Sequence, residues 1–300
     1  MNELFALTKR NTKLYFKDKG MFFSSLITPV ILLVLYSTFL KKVYDDSFRS
    51  ALLAAGADIS DSVLNGCVGG QLVSSLLAVS CVTVAFCSNL LMIKDKTSGA
   101  IHDLTITPVR FGVLGFSYYL STLFSTLIVS FCAALVSLLY LAVVGWYLTA
   151  ADVALLILDV FLLTMFGTAL SSCINFFLTT DGQASAVGTI VSAGYGFICG
   201  AYMPISNFGN GLKNVLSFLP GTYGTSLLRN HFLRGTFAEM KNQGFPNEVV
   251  EAIRESVDCN LEFFGTKVEI GAMYLIICAS ILLLIGIYIT MNIIAGKKRK

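Results

Sequence analysis

The stretch IGAMYLIICASILLLIGIYITMNIIA, residues 270–295, contains no charged side chain. Because about 20 consecutive apolar residues in a helix cross the roughly 30 Å of bilayer hydrocarbon, this run is long enough to span a membrane. The whole chain has the same character, since 55% of its 300 residues are hydrophobic and 13% are charged, whereas about 25% are charged in an average soluble domain. Its mean hydropathy is +0.76. A soluble fold cannot cover so much apolar surface, so the sequence predicts an integral membrane protein.

Five further apolar runs lie upstream. With the last run they predict an all-α integral membrane fold of six transmembrane helices in a single domain, residues 1–300. The predicted spans are residues 21–40, 66–93, 112–145, 153–178, 184–203 and 270–295. Pro29 inside the first run is tolerated in a membrane helix, because neighbouring helices can satisfy the carbonyl that it frees.

Basic residues cluster in three segments that six spans would place on one side of the membrane. They lie before the first span, between the second and third, and after the last: Lys9, Arg10, Lys13, Lys17, Lys19; Lys94, Lys96, Arg110; Lys297, Lys298, Arg299, Lys300. Since cytoplasmic loops are enriched in Lys and Arg, we expect a multi-pass protein of the cell (cytoplasmic) membrane with both termini cytoplasmic. No small-residue cleavage site closely follows the first apolar run, which favours an uncleaved anchor.

The N-terminal segment, residues 1–20, has the pattern of an amphipathic helix. Apolar side chains fall on one arc and basic ones on the opposite arc: Leu4, Leu7, Leu14, Tyr15; Lys9, Arg10, Lys13, Lys17. Such a helix lies in the membrane interface, with its cations facing lipid headgroups or a protein partner. The alternative is a charged leader that only sets topology.

Residues 94–110, KDKTSGAIHDLTITPVR, separate the second and third spans. Gly99 can end one helix, and Thr107 with Pro108 can start the next as N-cap and first-turn residues. Between them Ile101, Leu104 and Ile106 give a short helix an apolar face. The segment therefore predicts a compact knob on the cytoplasmic side, with a simple connector that begins the third span as the alternative.

A second irregular region follows the fifth span. Two short apolar pieces within residues 204–232, divided at Pro220–Gly221, are each too short to cross the bilayer and predict a re-entrant helical hairpin entering from the outer face. Residues 247–264 then alternate between apolar and acidic faces and predict an outer amphipathic helix.

Polar chemistry is sparse. Seven of the eight cysteines lie in apolar runs, and the chain has two histidines, so the sequence predicts neither a metal site nor a disulfide framework, although a disulfide at Cys259 stays open. Asp159 is the one acid well inside a predicted span, and with Asn89 it is a candidate pathway residue for a substrate or gating role. Gly188, Ser192, Gly196 and Gly200 recur every four residues, a stripe suited either to a dimer contact or to internal helix packing.

The two irregular regions resemble the permease subunits of ABC transporters of the ABC-2, or type-2 exporter, family. The knob carries that family's pattern at Asp95, Lys96, Gly99, Leu104, Thr107, Pro108 and Arg110, but Asp95 replaces its usual glutamate and Ala100 its usual threonine. The hairpin carries the second pattern at Pro204, Leu219, Pro220, Gly221, Thr222, Tyr223 and Arg229.

The resemblance implies that the knob is a coupling helix, which docks with the N-terminal helix on a separate ABC ATPase subunit. The implied coupling residues are those of the knob pattern together with Lys9, Arg10 and Lys13. The chain has no phosphate-binding GxxxxGK[S/T] loop. We therefore expect no enzymatic activity and no cofactor in this chain, with ATP and Mg bound by the partner.

The family also implies a second permease, either a copy or a paralogue, in contact with membrane lipid and without nucleic acid. The expected function is ATP-driven export of an amphipathic or hydrophobic substrate, whose identity the sequence leaves open. The alternatives are an ATP-independent carrier, a membrane enzyme, and a non-transporting anchor or sensor. A carrier usually has charged or broken helices at mid-membrane, and an enzyme has clustered His, Asp or Glu residues, and the sequence favours neither.

Overall fold

The computed structural model describes residues 2–54 and 60–298, and they form a bundle of α-helices. The helices are α1 Asn2–Lys17, α2 Lys19–Leu35, α3 Lys41–Ala54, α4 Asp61–Ser88, α5 Leu90–Thr97, α6 Ala100–Thr105, α7 Phe111–Val144, α8 Ala150–Asn175, α9 Asp181–Ile198, α10 Asn210–Leu216, α11 Pro220–Asn242, α12 Asn247–Ser256 and α13 Ile270–Lys298. One short antiparallel pair, β1 Glu262–Phe263 and β2 Thr266–Lys267, precedes α13. The predicted all-α membrane architecture is confirmed.

Within the described residues, five helical runs are long and apolar enough to cross a membrane. They are Lys19–Asp46, Asp61–Thr97, Phe111–Val144, Ala150–Asn175 and Ile270–Lys297. The remaining predicted span, residues 184–203, corresponds to α9, which has 18 residues and is therefore roughly 27 Å long. It is rich in Gly, Ser and Ala, and it ends before Gly200, whose φ is 74°. The six-span count therefore stays a prediction.

Helix α4 forms the centre of the bundle and is buried along almost its whole length. Helices α2, α7, α8, α9 and α11 pack around it. Glycines permit the closest approaches: a Cβ on Gly167 of α8 would lie 2.9 Å from Val82 Cα, and one on Gly70 of α4 would lie 2.6 Å from Leu233 Cδ2. Small residues thus bring the backbones of α4, α8 and α11 together.

The first span is longer than expected. The helix continues through a π-helical turn, Tyr36–Leu40, into α3, so the predicted end at residue 40 is wrong. An i,i+4 ion pair between Arg49 and Asp45 (3.0 Å) supports this polar extension. Arg299 and Lys300 of the basic C-terminal segment lie outside the described residues.

Helices α10 and α11 occupy the region of the predicted re-entrant hairpin, residues 204–232, whose entry from the outer face stays a prediction, but α11 does not end at residue 232. It continues to residue 242 because α11 runs antiparallel to α4 with buried contacts at Leu233 and Phe237.

The outer helix predicted over residues 247–264 is also too long. Helix α12 ends at Ser256, since Asp258 adopts a left-handed φ of 56°, and a two-residue turn at Phe264–Gly265 closes the β1–β2 pair.

The bundle has two chemically different ends. We call the end that carries α1, α6 and the last turn of α13 the basic end. It holds the described members of the three basic segments. A hydrophobic cluster that includes Tyr15, Tyr118 and Tyr288 forms its interior. The opposite end carries α3, α10, α12 and the β1–β2 pair.

Candidate functional site

The basic end is organised around Asp95 of α5, which is 6% exposed. Arg10 of α1 donates from Nη1 to Asp95 Oδ2 at 2.7 Å, and the Tyr118 hydroxyl of α7 donates to the same oxygen at 2.6 Å. Burial alone would lower the pKa of Arg10, but the hydrogen bond to Asp95 and its negative charge outweigh burial and raise that pKa. Asp95 therefore joins three helices inside the chain and does not project from its surface.

Lys96, the next residue, reaches in the opposite direction. Its Nζ donates to three backbone carbonyls at the end of α8, those of Asn175 (3.3 Å), Phe176 (2.7 Å) and Leu178 (3.0 Å), and it lies 5.5 Å from the centroid of the Phe176 ring. These are the carbonyls that a helix C-terminus leaves without intrahelical donors. Asp95 thus connects α5 to α1 and α7 on one side, and Lys96 connects α5 to the end of α8 on the other.

A third link holds the start of the first span. Asp18 caps α2 by accepting from the backbone N–H of Met21 at 3.1 Å, and it is hydrogen-bonded to Lys94 of α5. The hydrogen bond from Lys94, with that from Met21, lowers the pKa of Asp18. Helices α1, α2 and α5 consequently meet at charged contacts that sequence spacing did not reveal.

Helix α6 forms the predicted knob, and it begins after Gly99, whose φ is 81°. Ile106 at its end is 85% exposed, whereas Leu104 packs inward against the cluster of the basic end. The exposed side chains of the knob are mixed apolar, polar and charged: His102, Asp103, Ile106, Thr107, Pro108 and Arg110. On α1, Lys9 and Lys13 are also exposed. The knob and the cationic face of α1 thus offer accessible side chains at the same end of the bundle.

Thr107 and Pro108 do not start the third span, so that prediction is wrong. Helix α7 begins at Phe111 with Arg110 at its N-cap, while the Thr107 hydroxyl donates back to Leu104 O at 2.6 Å. The hydroxyl closes the turn after α6, and it is therefore not available to cap α7.

At the opposite end, Arg229 of α11 is 1% exposed and sits in a polar network. It donates to Asp258 Oδ2 (3.1 Å) and to Gly200 O (2.5 Å). Asp258 also accepts the backbone N–H groups of Ile205 (2.5 Å) and Ser206 (3.0 Å), which follow Pro204. One buried ion pair therefore fastens the end of α9, the hairpin and the α12 region together. Sequence reasoning missed Asp258, because its partner lies far away along the chain.

The Leu-Pro-Gly-Thr-Tyr element, residues 219–223, forms the start of α11. Leu219 is the N-cap and Pro220 the first helical residue, a position that needs no N–H. The Thr222 hydroxyl donates to Leu216 O at 3.0 Å, and the Tyr223 hydroxyl donates to Ser217 O at 2.6 Å. These two side chains tie α11 back onto α10 and fix the bend between them.

Asp159 of α8 is buried in a three-helix cluster. The Tyr274 hydroxyl of α13 donates to its Oδ1 at 2.6 Å, and His231 Nδ1 of α11 lies 2.5 Å from its Oδ2. Farther toward the opposite end, Arg234 Nε lies 2.5 Å from Asp152 Oδ1. The helical spacing of acids on α8 and bases on α11 was a usable signal for these pairs, which the sequence analysis overlooked.

Asn89, the other candidate pathway residue, is 1% exposed and lies at the break between α4 and α5. Its amide donates to the hydroxyls of Ser171 (3.2 Å) and Ser172 (3.1 Å) and accepts from Thr122 at 3.4 Å. The structure does not bring it together with Asp159 in one cavity.

The stripe of small residues on α9 divides into two halves. Gly196 and Gly200 are buried within the chain, where a Cβ on Gly196 would lie 2.3 Å from the Tyr202 ring. A Cβ on Gly188 would meet nothing within 4 Å among the described residues, and the Ser192 carbonyl accepts from the Tyr202 hydroxyl at 3.3 Å. Internal packing therefore uses Gly196 and Gly200, and Gly188 faces open space among the described residues.

Comparison with known proteins gives one family. The family model described as ABC-2 type transporter matches residues 2–233, which include the basic end, the knob and the start of α11. A comparison with curated proteins gives no match.

Proposed function

The chain belongs to the ABC-2 type transporter family, and we propose that it is the membrane-spanning permease subunit of an exporter driven by a separate ABC ATPase subunit. The observation that carries this proposal is the knob at the basic end. The knob exposes Ile106 and Arg110, while α5, which precedes it, is held in the bundle by the buried Asp95 and by Lys96. An exposed tip on a fixed base is the form required of an element that receives force from a partner.

Two sets of contacts can transmit movement of the knob to the membrane helices. Asp95 links α5 to α1 and α7, and Lys96 links α5 to the end of α8. We assign these two residues to transmission within the permease. Direct ATPase contacts are assigned to Ile106, Thr107, Pro108 and Arg110, with Lys9 and Lys13 beside them.

The transport path is proposed to run between this permease and a second copy or paralogue. The open half of the α9 stripe, at Gly188, supports a helix contact there, because small residues permit close approach in lipid. In this arrangement α9 is the fifth of six spans. The basic end is cytoplasmic, so both termini are cytoplasmic in the cell membrane, and the opposite end is external.

Asp159 is proposed to act in gating, since its contacts join α8, α11 and α13. Rearrangement of these contacts would allow the hairpin to move relative to α8. Transport by an Asp159→Asn variant that equals wild-type transport would remove this role.

The whole proposal is tested by affinity purification of the full chain from its native membrane in mild detergent. The expected result is stoichiometric recovery of a P-loop ATPase, with loss of that partner on Ile106→Asp. The matched control is Phe264→Asp at the opposite end, where Phe264 is 59% exposed. Reproducible absence of an ATPase would contradict the proposal and leave an ATP-independent carrier or an anchor.

A further inference from the structure

A polar cavity of about 350 Å³ lies at the opposite end of the bundle, between α10, the start of α11, α12 and the β1–β2 pair. Asp258 in its wall is engaged by Arg229 and by two backbone N–H groups. The other charged side chains of the lining are at least partly exposed, and amide groups lie among them: Lys213, Lys267; Glu255, Glu262; Asn207, Asn260. The cavity therefore offers both signs of charge to a ligand.

The charged side chains around this cavity are joined by exposed ion pairs. Lys213 of α10 pairs with Glu262 of β1 at 3.0 Å, and Lys267 of β2 lies 3.9 Å from Glu251 of α12. Exposed pairs of this kind add little stability, so a charged ligand can replace either partner at small cost. Glu255, one turn along α12 from Glu251, forms no ion pair among the described residues. The cavity thus holds a spare acid beside two exchangeable cations.

An exposed apolar surface adjoins the cavity. Phe218, which is 62% exposed, follows the cavity-lining Ser217 and packs edge-on against Phe263 of β1, with ring centroids 5.2 Å apart. Leu212 and Val215 of α10 are also exposed, by 48% and 59%. Contiguous exposed apolar side chains mark contact with a membrane or an apolar ligand. Charged groups and such a surface therefore meet at one edge, which is the arrangement that binds an amphiphile.

The depth of α10 places this surface beside the bilayer. Leu219, directly after Phe218, lines a groove on the side of the bundle together with Ser280 of α13. Helix α13 begins at Ile270, so Ser280 lies roughly 15 Å along the helix from that end. The end of α10 is therefore level with the hydrocarbon that α13 crosses. A lipid of the adjoining leaflet can place its chains on α10 and its head group in the cavity.

We propose that this cavity binds a phospholipid with a primary ammonium head group, such as phosphatidylethanolamine, from the adjoining leaflet. The ammonium donates to Glu255 and to the amide oxygens of Asn207 and Asn260, and the phosphate accepts from Lys267. A primary ammonium has three N–H donors, and its bonds to a carboxylate are stronger than bonds between neutral groups. The inference goes beyond the proposed export function and does not depend on it, because binding needs only this chain and lipid.

The test is native mass spectrometry of the full chain, purified in detergent and titrated with dioleoyl lipids that differ only in head group. Phosphatidylethanolamine should bind with about tenfold lower Kd than phosphatidylcholine, whose methylated nitrogen has no N–H, and than phosphatidylglycerol, which lacks the ammonium. Glycerophosphoethanolamine, the same head group without chains, should compete only at about hundredfold higher concentration. Equal Kd values for the three lipids, or equally tight binding of the chainless head group, would overturn the inference.

Substitutions locate the site. Glu255→Gln should remove the preference for phosphatidylethanolamine over phosphatidylcholine, whereas Glu248→Gln, at an exposed acid of α12 outside the cavity, should preserve it. Lys267→Gln should weaken binding of all three lipids about tenfold, and Lys241→Gln, at an exposed lysine outside the lining, should not. Because these side chains are exposed, the substitutions leave the fold intact, which thermal midpoints from circular dichroism check. A preference for phosphatidylethanolamine that survives Glu255→Gln would also overturn the inference.

Discussion

Replacing Asp258 with Asn tests the buried ion pair that fastens the opposite end of the bundle. Asp258 is 3% exposed and accepts from Arg229, Ile205 and Ser206. Asparagine has nearly the same volume and retains one acceptor oxygen, so packing is almost unchanged. The substitution removes the negative charge and leaves the Arg229 guanidinium buried against neutral groups.

The magnitude follows from burial at both ends of the pair. Breaking a buried ion pair by removing one partner costs about 3–5 kcal/mol, because the other charge stays uncompensated. The matched control is Glu262→Gln, which breaks an ion pair with Lys213 of similar length, 3.0 Å, at a site where the Glu262 side chain is 48% exposed. An exposed pair contributes about 0–1 kcal/mol.

The assay is equilibrium unfolding of the purified chain in mixed micelles with increasing dodecyl sulfate, followed by circular dichroism. The Asp258→Asn variant should lose at least about 3 kcal/mol of unfolding free energy, and Glu262→Gln less than about 1 kcal/mol. The double variant with Arg229→Gln should cost less than the sum of the two single changes, since both remove the same contact. Equal effects for Asp258→Asn and Glu262→Gln would refute the reasoning.

Three further predictions concern other contacts. Gly221→Ala should destabilise the chain by about 1–3 kcal/mol through overpacking against the Tyr195 hydroxyl, and the added change Tyr195→Phe should recover part of that loss in the same unfolding assay; additive losses would contradict the contact. Asp18→Ala should cost about 1 kcal/mol at neutral pH through loss of the α2 cap. Because the folded-state pKa of Asp18 is lowered, its contribution is fully present above its unfolded pKa and disappears as pH falls through the lower folded value. The difference in thermal stability between wild type and Asp18→Ala should therefore begin to shrink below about pH 4 and vanish only below the lowered folded pKa. Lys96→Met should cost about 1.5–3 kcal/mol by leaving the α8 carbonyls without a charged donor, whereas Lys9→Met, at an exposed position, should stay within about 0.5 kcal/mol; equal midpoints for these two variants would argue against the capping role.

Composition and run length were sufficient to predict the long helices, because the bilayer requires about 20 apolar residues and internal satisfaction of the backbone. They also predicted the helix at α9, but its small residues weaken the apolar signal, so its crossing of the membrane stays a prediction. The end of α12 depended on the left-handed conformation of Asp258, which tertiary contacts with Arg229 stabilise. Local pattern alone therefore overextended that helix to residue 264.

The position of the candidate site along the chain was predictable, but the partners of its charged side chains were not. The knob could be located because Gly99 and Pro108 interrupt helical periodicity, and exposure of its tip at Ile106 agrees with that location. Sequence spacing could not distinguish charged side chains that are exposed from those that form hydrogen bonds inside the bundle. Asp95 and Lys96 are adjacent, yet their partners are Arg10, Tyr118 and the end of α8, which only the folded bundle brings near.

The most direct test of the central claim, that the knob receives an ATPase, is site-specific photocrosslinking in native membranes. Benzoylphenylalanine replaces Ile106 at the tip of the knob or, as the control, Phe264 at the opposite end. We expect a light-dependent adduct with a P-loop ATPase from position 106 and none from position 264. Absence of an ATPase adduct at position 106, or equal adducts at both positions, would contradict the claim.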